Sequence, residues 1–109
     1  DFELAIDAPP QYGGQTHGPM PTEMLRASLA GCFAAAGYHA ARERDVTLPD
    51  RSVDIEGEYS GLRFATLRLR VHSSLPRAEL EPLVELARSY CYVSNTLLTP
   101  PELDVVIAD

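Results

Sequence analysis

A stretch of ten residues without a charged side chain constrains the fold of this chain more than any other feature. Residues 27–36 read Ala-Ser-Leu-Ala-Gly-Cys-Phe-Ala-Ala-Ala, inside a segment whose pattern predicts a helix from Pro21 to about Arg44. Pro21 suits the first helical turn, and Glu23 places a negative charge near the positive end of the helix dipole. A surface helix has a polar face, and this stretch has none. We therefore expect a helix buried on all sides, with a second copy of the chain or a deep sheet covering the side that a small domain leaves open.

Alternation of apolar and polar residues predicts four strands, at residues 2–6, 53–59, 65–71 and 103–107. The Ser60-Gly61 turn predicts that the two central strands form an antiparallel hairpin. A second helix is expected after Pro76, because apolar residues recur at helical spacing over residues 80–91. The order of strand, helix, two strands, helix and strand predicts an α+β fold, with an antiparallel sheet packed on the buried central helix.

The length of 109 residues predicts a single domain over residues 1–109. The chain begins at Asp1 rather than at a methionine, so we expect further N-terminal strands upstream of it. It contains no run of about twenty apolar residues of the kind that spans a bilayer.

The charge balance excludes two classes of function. Nine basic residues stand against sixteen acidic ones, for a net charge of −7, and all nine basic residues are arginine. Binding to a nucleic acid backbone needs clustered cations, and Schiff-base chemistry needs a lysine amine. We therefore expect no nucleic acid partner and no Schiff-base chemistry. Because no apolar run is long enough to span a bilayer, we expect no membrane partner either.

The two cysteines, Cys32 and Cys91, are the candidates for chemistry. Each falls on the apolar stripe of its predicted helix, so packing of the two helices could bring the sulfurs within disulfide reach, about 5.5–6 Å between Cα atoms. From spacing alone, two small buried hydrophobes are the favoured interpretation. A Cys–His hydrolase would need His17 or His72 as base, since His39 lies about 10 Å along the axis from Cys32. A zinc site would lack the usual ligand spacing.

Several segments of the sequence resemble the OsmC/Ohr family of osmotically inducible and organic hydroperoxide resistance proteins. The segment at residues 21–25 (PTEML) is closer to the broader OsmC-like branch of that family. The matching segments are Gly13-Gly14, residues 18–25 (GPMPTEML), residues 27–32 (ASLAGC) and residues 87–97 (ARSYCYVSNTL). They occur in the family's order and span nearly the whole chain.

The resemblance implies an intertwined homodimer and a thiol-dependent peroxidase that needs no metal or organic cofactor. By position, Cys32 would attack an organic hydroperoxide and become a sulfenic acid, and Cys91 would condense with it to a disulfide. A dithiol would then reduce the disulfide in the cytoplasm.

The chain departs from the family's pattern around the first cysteine. Peroxidatic members use an Arg from an early strand and a Glu ten residues before that cysteine, where this chain has Thr22. Glu23 is one residue away from that position, and no Arg precedes Arg26. Thr22, Glu23 and Arg88 are therefore only candidate supporting residues, Glu23 being better explained as a dipole partner. A second hypothesis follows, in which the protein is a non-catalytic OsmC-like dimer that binds a small apolar ligand.

Overall fold

The computed structural model describes residues 3–108 and has an α+β architecture. Its elements, in chain order, are α1 (Pro21–Glu43), β1 (Ser52–Ser60), β2 (Arg63–His72), α2 (Arg77–Tyr90) and α3 (Tyr92–Leu98). The first helix, the hairpin and the second helix lie where the sequence patterns predict them. The segment before α1 contains one short 3₁₀ turn, Pro10–Tyr12.

The hairpin is antiparallel, as the sequence predicts, and it has one apolar and one charged face. Ser60 pairs with Arg63 across a two-residue turn, in which Gly61 has a φ of 62° that suits a glycine. The inward residues are half-buried and apolar: Val53, Ile55, Leu67, Leu69 and Val71. On the outer face, His72 Nε2 lies 2.9 Å from Asp54 Oδ2. The alternation that predicted the strands therefore also orients the hairpin toward the helices.

The core forms where α1 packs against α2 and α3, with the hairpin against α1. The central buried cluster consists of Leu29, Phe33, Ala36, Ala40, Ala87 and Cys91. Three of these residues are alanines, whose short side chains allow the helix backbones to approach closely. The inward residues of the hairpin pack against this cluster.

Only one face of α1 is buried within a single chain. On its opposite face Ala27, Gly31, Ala34 and Ala35 are exposed, and Tyr38 is 48% exposed. The side that one chain leaves open is the side that the sequence analysis expects a second copy or a deep sheet to cover; among residues 3–108 no sheet covers it, and the second copy stays a prediction. The physical reason is that the hairpin, α2 and α3 of one chain cover only part of the circumference of α1.

The two predicted terminal strands are absent from the described part of the chain. Residues 3–6 and residues 103–107 have no strand partner. Within residues 3–108, β1 and β2 form a sheet of two strands, and no third strand joins it. Residue 2, the first of the predicted early strand, lies outside the described residues. A strand requires a neighbouring backbone for its hydrogen bonds, and neither segment pairs with the free outer edge of β1 or of β2. Ile107 accordingly is 99% exposed.

Candidate functional site

Cys32 lies near the middle of α1, at the edge of its buried face. Leu29, Phe33 and Ala36 are its buried neighbours on the helix. The thiol is half-buried and free, and the side chain packs against the central cluster. Cys32 is therefore held by a regular helix while part of its surface remains accessible.

Cys91 is the single residue that separates α2 from α3. Its backbone is extended, with φ −82° and ψ 103°, and it ends the first helix and begins the second. Its carbonyl accepts hydrogen bonds from the backbone N–H of Asn95 at 3.0 Å and from Ser94 Oγ at 3.2 Å. The side chain faces inward, as its apolar stripe predicts, and is 0% exposed.

The fold brings both cysteines to the same apolar cluster. Cys91 belongs to the buried cluster, Cys32 packs against it, and both thiols are free. The two residues come from different helices, which the packing of α1 against α2 and α3 joins. An accessible thiol and a sheltered thiol at one cluster can together support a two-step thiol reaction.

The candidate supporting residues make contacts of their own that do not involve sulfur. Glu23 Oε1 accepts a hydrogen bond from the backbone N–H of Met20 at 2.8 Å, which is a helix-capping contact. Arg88 pairs with Glu85 at 3.3 Å, and both side chains are largely exposed. Within residues 3–108, no hydrogen bond or ion pair joins Glu23 or Arg88 to a cysteine.

Thr22 and Arg26 form the other polar pair at the start of α1. The Thr22 hydroxyl is buried and finds no hydrogen-bond partner among residues 3–108. Arg26 donates from Nε to the Thr22 carbonyl at 3.4 Å, and its guanidinium carbon lies 6.0 Å from the centroid of the Phe64 ring. Arg26 therefore makes its contacts with Thr22 and with Phe64 of β2.

An open cleft of about 1020 Å³ lies between α1, β2, α2 and α3. Its walls are mostly apolar, with Leu25, Leu29 and Phe33 from α1 facing Leu67 and Leu69 from β2. Its polar residues come mainly from the helices around Cys91: Glu85, Arg88, Ser89, Ser94 and Asn95. A smaller cavity of about 130 Å³ lies on the other side of Phe33, against β1 and α2. The smaller cavity suits an apolar molecule better than a charged one, whereas the larger cleft has one apolar wall and one polar wall.

A polar cluster that the sequence patterns do not single out joins the end of α1 to the end of α2. The Tyr90 hydroxyl donates a hydrogen bond to Glu43 Oε2. His39 Nε2 lies 3.5 Å from Glu43 Oε1, and the His39 and Tyr90 rings meet edge to face at 4.8 Å. The bond to the Glu43 carboxylate raises the pKa of Tyr90 above its ordinary value of 10.0, since it favours the protonated hydroxyl. The i, i+4 spacing of His39 and Glu43 is a local signal, but Tyr90 lies 47 residues from Glu43.

Among residues 3–108, no three His, Cys, Asp or Glu side chains converge as metal ligands would. No helix in the same range is both long enough and apolar enough to cross a lipid bilayer.

Comparison with known protein families shows which family the chain belongs to. The family model described as OsmC-like protein matches residues 13–106, which is nearly the whole chain. This chain belongs to the OsmC-like family. No curated protein sequence matches it significantly.

Solved structures of OsmC-like proteins have the same fold. An organic hydroperoxide resistance protein OsmC from Legionella pneumophila is 27% identical, with a TM-score of 0.69 over 88% of this chain and 74% of that one. A putative organic hydroperoxide resistance protein from Vibrio cholerae, with captopril bound in one of its active sites, is 29% identical, with a TM-score of 0.71 over 88% and 69% of the two chains. An OsmC-like protein from Mycoplasma pneumoniae, 21% identical, has a TM-score of 0.73 over 91% and 74%. The resemblance read from the two cysteine segments is therefore confirmed at the level of family and α+β fold.

Proposed function

We propose that this OsmC-like protein is a thiol-dependent peroxidase that reduces organic hydroperoxides, with Cys32 as the attacking residue and Cys91 as the resolving residue. The observation that carries the proposal is the meeting of two free cysteines at one apolar cluster, with Cys32 half-buried and Cys91 fully enclosed. An attacking thiol must reach its substrate, whereas a resolving thiol must avoid reacting with it first.

The reaction has three steps in this proposal. The Cys32 thiolate attacks the O–O bond of a hydroperoxide, which leaves Cys32 as a sulfenic acid and releases an alcohol. The Cys91 thiol then condenses with the sulfenic acid, forming the disulfide and releasing water. A dithiol restores both thiols with two electrons, and its own sulfurs become a disulfide.

The apolar wall of the larger cleft supports an organic hydroperoxide as substrate, with neither cysteine among the residues that line the cleft. Leu25, Leu29 and Phe33 line it from the helix that carries Cys32. Transfer of a hydrocarbon tail from water to such a surface is favourable, at about 25 cal/mol per Å² of buried apolar area. Two relatives, at 27% and 29% identity, are named organic hydroperoxide resistance proteins.

A homodimer is part of the proposal. The exposed small-residue face of α1, which contains Ala27, Gly31 and Ala34, and the exposed apolar residues Val105 and Ile107 both suit a second copy of the chain. Intertwining would give residues 103–107 the strand partner that a single chain does not supply. We place the enzyme in the cytoplasm, where a dithiol is available to reduce the disulfide.

The second hypothesis, a non-catalytic dimer that binds a small apolar ligand, has one observation in its favour. The cavity of about 130 Å³ is lined mostly by apolar residues such as Phe33, Leu80 and Leu83, and, as in the larger cleft, neither cysteine lines it. It would hold a ligand without any thiol chemistry.

Mass spectrometry after one equivalent of cumene hydroperoxide distinguishes the two hypotheses. A peroxidase loses two hydrogen atoms as the Cys32–Cys91 disulfide forms, and Cys32→Ser abolishes hydroperoxide consumption. Cys91→Ser serves as the matched variant, because it keeps the attacking thiol and should stop at oxidised Cys32 without a disulfide. If both cysteines stay reduced while a free thiol in the same tube is oxidised, the peroxidase proposal is wrong.

A further inference from the structure

The junction at Cys91 is held within its own pair of helices by local hydrogen bonds. Asn95 Nδ2 donates to the Ser89 carbonyl at 3.3 Å, across the junction. The Cys91 carbonyl accepts from the Asn95 N–H and from the Ser94 hydroxyl. These contacts fix α3 relative to α2, but they do not reach α1, which carries Cys32.

Tyr90, the residue before Cys91, makes the polar contact that crosses to α1. Its hydroxyl donates to Glu43, and its ring packs edge to face on His39. His39 and Glu43 are held together in turn, at 3.5 Å. The contact at Tyr90 therefore ends on two residues of α1 rather than on one flexible side chain.

Helix geometry connects this contact to Cys32. His39 and Glu43 lie seven and eleven residues beyond Cys32, which at 100° per residue places all three on one stripe of α1. Glu43 is about 16 Å from Cys32 along the axis, at 1.5 Å per residue. A continuous helix transmits position over this distance, so a junction fixed against Glu43 is also fixed relative to Cys32.

We propose that Tyr90 is a positioning residue for the Cys32–Cys91 disulfide: its hydrogen bond to Glu43 holds the α2–α3 junction in the register along α1 that lets the two sulfurs meet. This rests on the proposed function in so far as that function forms the disulfide. Tyr90 touches neither the substrate nor a reacting atom, and it acts by keeping Cys91 in place while the sulfenic acid is converted to the disulfide and water.

The test measures how readily the two thiols pair without any hydroperoxide. The protein is equilibrated with defined mixtures of reduced and oxidised glutathione. One oxidised glutathione is consumed and two reduced glutathiones are released for each protein disulfide formed. The equilibrium constant is a measure of how well the fold holds Cys91 against Cys32.

Tyr90→Phe removes the hydroxyl and keeps the ring on His39. We expect it to lower the equilibrium constant by up to about tenfold, the ratio that corresponds to one hydrogen bond to a charged group. The bond is also present when both thiols are free, so tenfold is the upper limit of the effect. Tyr92→Phe is the matched control, because the same atom is removed on the other side of Cys91 from a side chain that is 83% exposed. It should leave the constant at the wild-type value.

Glu43→Gln tests the other end of the bond, at a half-exposed position. It keeps an acceptor oxygen without the charge, so we expect a smaller loss, about threefold. The double variant should resemble Tyr90→Phe, since one bond can be lost only once. Urea unfolding of each reduced variant is measured as well, so that a loss of overall stability can be told apart from a loss of disulfide formation.

The result that overturns the proposal is a Tyr90→Phe protein whose equilibrium constant equals that of Tyr92→Phe, or one whose loss is explained by unfolding of the reduced protein. A wild-type chain that forms no Cys32–Cys91 disulfide at any glutathione ratio overturns it as well. Failure of the proposed function is separate: the wild-type protein would form the disulfide with glutathione, with the Tyr90 effect, and still consume no cumene hydroperoxide.

Discussion

Glu23 caps the helix that carries Cys32, by accepting a hydrogen bond from the backbone N–H of Met20 at 2.8 Å. Met20 directly precedes the first residue of α1, so its N–H would otherwise lack a helical partner. The contact explains the acidic residue at this position without any role at the thiol.

Glu23→Ala is expected to destabilise the protein by about 1 kcal/mol, because a capping contact is lost. The rate at which iodoacetamide alkylates Cys32 should be unchanged. Glu79→Ala is the matched control. Glu79 also lies in the first turn of its helix, α2, but the N-cap of α2 has no side-chain hydrogen bond that the substitution could remove. Urea unfolding and alkylation kinetics measure the two effects, and a tenfold change in the alkylation rate of Glu23→Ala would instead place this carboxylate at the thiol.

Asp7 organises the loop that leads into α1. Its carboxylate accepts N–H hydrogen bonds from Ala8 at 2.8 Å and from His17 and Gln15 at 3.1 Å each. These backbone donors, with Ala8 the strongest, hold the pKa of Asp7 below its ordinary value of 3.8. The ionised side chain therefore ties the two ends of the loop together.

The lowered pKa sets the direction of a pH effect. A carboxyl that is more acidic in the folded state stabilises that state above pH 3.8, and the contribution is lost as the pH falls from 3.8 through the folded pKa. Asp7→Asn should remove this dependence and speed amide hydrogen exchange at Gln15 and His17. Asp104→Asn, in the exposed C-terminal segment, should do neither. NMR titration of the carboxyl carbons measures the pKa, and an ordinary value for Asp7 would contradict the loop contacts.

Leu83 is the buried leucine at the centre of α2, and it lines the cavity of about 130 Å³. Leu83→Ala should lower the free energy of unfolding by roughly 2–5 kcal/mol, because apolar burial is lost and a cavity enlarges. Leu62→Ala removes the same atoms from a fully exposed position in the hairpin turn, where we expect a change below about 0.5 kcal/mol. Similar losses in the two variants, measured by urea unfolding, would show that α2 does not pack as described.

Local sequence patterns are enough to predict α1 and the β1–β2 hairpin. The uncharged stretch with Pro21 before it predicts α1, and the alternation on either side of Gly61 predicts the hairpin. The same alternation fails at residues 103–107, because periodicity shows which face of a segment is apolar but not whether another backbone is there to pair with it.

The candidate site divides in the same way. The sequence predicts that Cys91 faces inward, and the structure agrees. The role of Glu23 as a partner of the helix terminus also follows from its place in the first turn. No pattern predicts the contact of Tyr90 with Glu43, because the two residues are 47 positions apart and meet only when α2 packs on α1.

The sequence by itself determined the family, the central helix, the hairpin and the apolar stripes on which both cysteines lie, since each depends on residue type and spacing over one or two turns. Only the tertiary structure decided that the two cysteines share one cluster, that one face of α1 stays open, and that Tyr90 ties the Cys91 junction to the helix of Cys32. Those features depend on how separate elements pack against one another, and the free energy of that packing comes from contacts between residues far apart in the chain.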